Sequence, residues 1–232
     1  MLISHARTKS GPETFSVKAV TFDDVRDWIL LKHYAHRIPS VSYAFGLFVN
    51  QDLAGIVTYG VPPSNPLRRG ICGDAYKSRV LELNRLCINE GAPKNSASRL
   101  VGGSLRLLPR PAIVISFADT AQGHIGYVYQ ASNFLYTGLS AKRTNWTIRG
   151  REHLHGVSVA DISRGQSNRA AYMRDRFGDD FYLEPRPRKH RYVYFLGSRS
   201  EVRKMRASLR YPVCPYPKGE TRRYETASVA GA

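Results

Sequence analysis

A single carboxylate, Asp119, closes the most apolar run of the chain, "PAIVISFAD", and the segment that follows, "GHIGYVYQASNFLYTG", is crowded with tyrosines. Sheets of mixed α/β proteins present their ligands at strand ends, so Asp119 is a candidate site residue. A carboxylate there is equally suited to cap the next helix. Tyr129 stands four residues after Ile125, on the apolar face of that helix, where spacing alone reads it as core. His33 and Tyr34 end the first predicted helix and join an imidazole to a phenol, a pairing that also serves as a partly buried helix end. Lys94, Ser96 and Ser98 open a helix after a loop, with Arg85 on the strand before it. Such a strand-to-helix turn offers backbone amides and donors to a phosphate, or is simply a capped helix. His153 and His155 in "EHLHG" alternate as metal ligands on a strand would, without an accompanying carboxylate pattern. There is no Walker loop, GxSxG elbow or HExxH motif, and "VGGS" lies inside a helical pattern rather than after a strand.

The elements that must position these residues follow from periodicity and punctuation. "FSVKAV" is a strand. Thr21, with Asp23 and Asp24 behind it, starts a helix over residues 22 to 34, on which Phe22, Val25, Trp28 and Ile29 have helical spacing. "SYAFGLFVNQDLAGIVTYG" is a hairpin about Asn50-Gln51-Asp52, followed by the Pro- and Gly-rich loop "VPPSNPLRRGICG". "RVLELNRLCI" alternates as a strand. Ala97, Leu100, Val101, Leu105 and Leu108 line the helix after it, where Gly102-Gly103 predicts close packing. "PAIVISFAD" is the central strand. A helix over 124 to 132 ended by Asn133, a strand at "FLYTGLSAK", a helix "SNRAAYMRDRF" closed by Gly178 and a last strand "RYVYFLG" complete the order. The order β-α-β-β-β-α-β-α-β predicts a mixed α/β sheet covered on two faces, with a basic insertion near 142 to 190.

Charge is the compositional outlier. Of 232 residues, 35 are Lys or Arg and 18 Asp or Glu, a net charge of +17. Such a field favours a polyanion. No apolar run is long enough for a bilayer span and no signal-peptide core follows "MLISHARTKSG", so nucleic acid is the expected partner and no membrane is. The basic segments "AKRTNWTIRGR" and "PRPRKHR" are the candidate contact surface, or else solvated faces. Cys72, Cys87 and Cys214 are too scattered for a disulfide framework and read as small buried hydrophobes.

"LKHYAHRIPS", "YGVPPSNPLRRG", "LELNRLCI" with "KNSASRLVGGSL", and "FADTAQGHIGYVYQASNFLYTG" together resemble the Mom family of DNA-modification proteins of Mu-like bacteriophages, from "SHARTKSG" to about residue 200. The resemblance implies a GNAT-like domain over 1–200, with the Pro-rich tail 201–232 outside it. It implies an enzyme that converts adenine in duplex DNA to N6-carbamoylmethyladenine and so protects phage DNA from restriction in the cytoplasm of the infected host. The family's iron-binding, catalytic cluster falls on His33, Tyr34, Asp119 and Tyr129, an oxygen-rich set with one imidazole that suits a ferric ion. On that reading Asp119 is site rather than cap. Acyl-CoA contacts fall on Arg85 and Ser98, although "NEGAPKNSASRL" replaces the Gly-rich pyrophosphate loop of the acyltransferases. Double-stranded DNA and a small-molecule donor are the implied partners, and a homodimer is left open. Two other readings stand beside it: a GNAT-like DNA-binding protein without catalysis, and an acetyl-CoA-dependent N-acetyltransferase.

Overall fold

The computed structural model describes residues 13–154 and 156–219. His155, the N-terminal arm and the end of the tail lie outside the described residues.

Nine strands and seven helices follow the chain: β1 (Phe15–Ala19), α1 (Phe22–Asp27), β2 (Tyr43–Val49), β3 (Asp52–Gly60), α2 (Asn65–Cys72), β4 (Val80–Ile88), α3 (Ser96–Leu107), β5 (Ala112–Asp119), α4 (Tyr127–Ala131), β6 (Leu135–Leu139), β7 (Arg143–Ile148), α5 (Gly156–Asp161), α6 (Arg169–Phe177), β8 (Phe181–Arg186), β9 (Lys189–Leu196) and α7 (Arg199–Ala207). Seven strands form one sheet in the order β1-β2-β3-β4-β5-β9-β6, in which only β4 and β5 run parallel. The mixed sheet flanked by helices is the architecture that the order of elements predicted.

Local chemistry explains the start of this sheet. Thr21 and Asp24 form a reciprocal capping box on α1. The helix then widens into a π-helical turn over Trp28–Lys32 and stops, so His33 is extended (φ −81°, ψ 130°) rather than the last turn of a helix to residue 34. Asn50 and Gln51 turn β2 into β3 with φ of 49° and 77°, the positive pair that a two-residue hairpin requires. The expected loop 61–73 contains α2, started by Ser64, whose Oγ accepts from the Leu67 amide at 3.2 Å.

Alternation along the strands divides the core. Phe45, Leu47, Val57, Tyr59, Leu83 and Val114 pack under α3 with Leu100, Val101 and Tyr129. On the other face α1 covers Ala44, Ile56 and Cys87, while α2 and α7 cover Val80, Ile113, Ile115 and Val193. Each large apolar side chain so buried contributes about 1.5–3 kcal/mol. A Cβ on Gly103 would meet Val17 Cγ2 at 2.5 Å, so this glycine lets α3 lie against β1. Gly102 faces open space instead, so the close packing expected of the pair belongs to Gly103 alone.

Residues 143–186 make a separate two-stranded sheet, β7 against β8, packed with α5 and α6 around Ile148, Val159, Met173 and Phe181. The segment expected as a tail begins as α7 and then runs along β6. The Cys214 amide donates to the Tyr136 carbonyl at 2.9 Å and the Tyr216 hydroxyl to that of Phe134 at 2.8 Å.

Candidate functional site

The parallel pairing of β4 and β5 runs from Val80–Ile113 to Leu83–Ser116 and stops there. Beyond it β4 continues with β3 as far as Ile88, and β5 with β9 as far as Asp119. The sheet opens between them, and Asp119, Arg85, His33 and Tyr34 lie about this opening.

Asp119 ends β5 and does two things. Its Oδ1 accepts from the Ala121 amide at 3.0 Å, capping a 3-10 turn over Thr120–Gln122, and its Oδ2 lies 2.7 Å from Lys189 Nζ. The cap reading is therefore a fact of the structure, and it leaves the second oxygen in an ion pair. Lys189 reaches it because Asp119 and Lys189 are paired in the β5–β9 register.

His33 and Tyr34 approach from the α1 side. Their rings stack with centroids 4.4 Å apart, and Tyr34 meets His124 edge-on at 6.0 Å. Burial, and then Arg85, His36 and His124, hold the His33 imidazole down to about 4, so it is neutral at pH 7. Its Nδ1 accepts from the Ala35 amide at 3.0 Å. The proton of the neutral ring is thus on Nε2, and His33 offers the site a donor rather than a base. Burial and the Asp119 charge push the Tyr34 phenol up, against a smaller opposing effect of Arg85. Tyr34 and Asp119 are therefore near neighbours in charge.

Arg85 on β4 clamps the same loop, donating from Nη2 to the Arg37 carbonyl at 2.6 Å and from Nη1 to that of Asn84 at 2.7 Å. Its Nε is buried without a hydrogen-bond partner among the described residues. Ser98 lies elsewhere, on α3, with its Oγ donating to the Asn95 carbonyl at 3.0 Å. It lines a groove of about 370 Å³ with Gly102, Arg106, Arg110 and Ser132, whose buried Oγ has no partner. Asn95 precedes α3 in the left-handed region (φ 68°) and no side chain caps the helix, although its first amide, that of Ser96, donates to the Pro93 carbonyl at 3.2 Å.

Tyr129 enters from α4. Its ring packs against Phe134 and Tyr192 at 5.5 and 5.3 Å, as spacing predicted for a core position, and its charge acts on Tyr59.

The iron expected on His33, Tyr34, Asp119 and Tyr129 is not supported by this donor set. Asp119 is committed to an ammonium and a backbone amide, and its charge favours the protonated Tyr34 phenol over the tyrosinate a ferric ion needs. Among the described residues no three His, Cys, Asp or Glu are gathered to hold a metal ion. His153 falls in an exposed turn rather than on a strand, so the paired-histidine reading fails as well.

Sequence reasoning missed Glu82 and the roles of Lys189 and His124. Glu82 is a half-buried carboxylate on β4 at the mouth of the opening; burial pushes it up, and Lys189 and Arg85 pull it back. The signal was present, since an acid inside the alternating strand "RVLELNRLCI" needs a partner. Much of "PRPRKHR" serves the fold. Arg188 donates to the Ser140 carbonyl, Lys189 pairs with Asp119, and Arg191 is buried over the Tyr211 ring at 3.4 Å. Arg143, Arg149, Arg151 and Arg186 remain exposed around the β7–β8 hairpin. No described helix is long and apolar enough to cross a membrane.

An aminoglycoside acetyltransferase AAC(6')-Ib bound to coenzyme A superposes with a TM-score of 0.45 at 11% identity, covering 83% of this chain and 99% of its own. An N-acetyltransferase of Staphylococcus aureus Mu50 gives 0.41 at 10% identity, over 78% and 98%. The methylcarbamoylase mom of Escherichia phage Mu is 31% identical over 213 residues, 90% of this chain and 86% of the relative. The Mom protein family model matches residues 14–218, nearly all of what is described, and the chain belongs to the Mom protein family.

Proposed function

We propose that this protein is a transferase that places a carbamoylmethyl group on N6 of adenine in duplex DNA, making phage DNA resistant to host restriction enzymes. The observation that carries the reading is the family match over residues 14–218, together with 31% identity to a methylcarbamoylase. The exposed arginines about β7–β8 and the +17 charge supply the surface for a polyanion.

The chemistry must overcome a poor nucleophile, because the N6 lone pair is delocalised into the purine ring. Asp119 is the proton acceptor. The N6 nitrogen attacks the donor's methylene carbon, the leaving group departs with its electron pair, and the proton lost from N6 passes to Asp119 Oδ2. Lys189 holds that oxygen before transfer, and the Nε2–H of neutral His33 and the Tyr34 hydroxyl are donors for charge that develops on the donor. Tyr129 supports α4 beside the opening, with its hydroxyl as a further polar group.

The donor is a phosphate-bearing small molecule of the acyl-CoA class. The α3 groove supports this, for Arg106 and Arg110 line it without an opposing carboxylate, together with Ser98 from the first turn of α3. Arg85 Nε is a buried donor still open to a ligand. Transfer from a thioester carbonyl would leave an N6-acyl group, so the donor is not a simple thioester: the carbon transferred is a methylene next to a carboxamide, and that methylene carries the leaving group.

Nucleoside mass spectrometry of plasmid DNA from cells that express the protein tests the reading. A deoxyadenosine heavier by one carbamoylmethyl group is expected. Plasmid with unmodified adenine in every fraction would leave a DNA-binding protein without catalysis.

A further inference from the structure

A second cavity, of about 350 Å³, lies where the main sheet meets the β7–β8 hairpin. Its volume is in the range that holds small ligands. Asp119, Ala121 and Lys189 form the wall on the main sheet. Asn145 faces them from β7, while the ring of its neighbour Trp146 turns to Phe181 and the Arg169 guanidinium, and Leu154 adds an apolar surface. The end of β5 thus belongs both to the opening of the sheet and to this cavity.

Its charge says what it takes. Asp119, Glu152 and Glu184 line it against Arg186 and Lys189, three carboxylates to two cations. A phosphate would meet net repulsion, in contrast to the α3 groove, where two arginines stand alone. A neutral, flat molecule with polar edges suits it. The three carboxylates and one cation are already partnered, while the Arg186 guanidinium has no ion pair among the described residues. Asp119 pairs with Lys189, Glu152 Oε1 accepts from the Gly150 amide at 2.9 Å, and Glu184 accepts from Thr147 Oγ1 at 3.4 Å. The Asn145 side-chain amide makes no hydrogen bond to any described residue. A Cβ on Gly156 would lie 3.3 Å from Asn145 Cβ and Oδ1, so α5 begins with a glycine that backs directly onto this amide and fixes its place.

An amide presents an acceptor and a donor side by side, the complement of the acceptor–donor edge of adenine. A base inside a duplex cannot be reached by a side chain that does chemistry on it and must be turned out of the stack. We propose that this cavity is the socket for one extruded adenine, read by the Asn145 amide beside the apolar Leu154 wall, with N6 directed to Asp119. The assignment deepens the proposed function and rests on it. It also gives the hairpin a role, since Arg143 and Arg186, paired in register at its open end, flank the mouth with charge for the neighbouring phosphates.

The test uses the full chain and two variants that act differently. Asn145→Leu removes the amide and keeps the bulk. Ala121→Phe fills the cavity and keeps the backbone N–H that Asp119 accepts. Enzymes that extrude a base bind more tightly when the base faces an abasic site, since no pairing is lost. Fluorescence anisotropy gives the affinity ratio between a duplex with adenine opposite an abasic site and the same duplex fully paired. The wild type favours the former, and favours adenine over guanine there. Both variants lose that preference by about tenfold, the scale of one bidentate base contact. A wild type with no preference, or variants that keep it, overturns the socket. Because the ratio reads binding alone, it separates from the plasmid nucleoside measurement. Modified plasmid adenine with an unchanged ratio sinks the socket and spares the proposed function, and unmodified adenine sinks the function.

Discussion

Asp119→Asn separates the two things Asp119 does. The cap on the turn Thr120–Gln122 survives, because Asn accepts from a backbone amide as well as Asp. The ion pair with Lys189 is lost. The carboxylate is 14% exposed and the ammonium 33%, so the pair is only partly screened, and Lys189 can turn its charge to solvent when released. The net cost is about 1 kcal/mol, nearer an exposed pair than a buried one. In a chain of this size that lowers Tm by about 2–4 °C. Loss of a proton acceptor lowers the rate by about 10²–10⁴. Thermal unfolding, duplex affinity and nucleoside mass spectrometry of the same variant therefore give a small, a negligible and a large change in turn. Modified adenine within tenfold of wild type refutes the proton-acceptor role and leaves Asp119 a cap. A fall of more than about 10 °C in Tm shows that the carboxylate holds the fold, and the activity loss then has a structural cause.

Four further outcomes follow from the geometry. His33 is held at about 4 in the fold and titrates near 6.5 unfolded, so the unfolded chain binds the proton first; stability present above pH 6.5 is lost as pH falls to 4, by on the order of 3 kcal/mol, and urea unfolding of His33→Asn shows a flatter pH dependence over that window. Tyr129→Phe keeps the ring packed on Phe134 and Tyr192 and stays within about 1 kcal/mol of wild type, yet loses modified adenine; wild-type levels of product return Tyr129 to the core alone. Arg85→Ala and Ser98→Ala weaken donor use more than duplex affinity, since neither lines the cavity by the hairpin, and equal losses in both assays move them to the DNA surface. Duplex affinity falls steeply between 50 and 200 mM salt, as release of counterions requires, and a flat response contradicts the basic surface about β7–β8.

What the sequence made legible is what neighbouring residues decide. Thr21 and Asp24 announce α1, and Asn50-Gln51 the hairpin, because both devices are complete within a few residues. Ser64 with Pro66 announced α2 in the same way, but the surrounding Pro and Gly residues read as loop. The π-helical turn that frees His33 from the helix left no periodic signal. The pairs that build the site are long-range. Asp119 meets Lys189 only through the β5–β9 register, and Arg143 faces Arg186 only once α5 and α6 have folded between them. A run such as "PRPRKHR" looks uniformly basic, yet on β9 Arg191 is buried within the strand and Lys189, at its start, reaches Asp119 through the β5 register. Charge density marked the partner, and strand geometry decided which charges are free to meet it.

The opening between β4 and β5 ties these features to one another. Two parallel strands that part after Leu83 and Ser116 leave inner-edge N–H and C=O groups without a ladder, a cost that buried backbone does not carry unpartnered. Side chains meet part of it. Arg85 donates to the Asn84 carbonyl, and Ser116 donates to that of Leu83. The rest faces the gap, where a bound molecule can complete it. The arginine-lined α3 groove runs down to Leu196, the β9 partner of Ala112 at the start of β5, and the more acidic cavity lies at the other end of that strand, where Asp119 lines it. The proposed donor and the proposed base are thereby matched by charge to different sites, and Asp119, at the end of β5, lines the second of them.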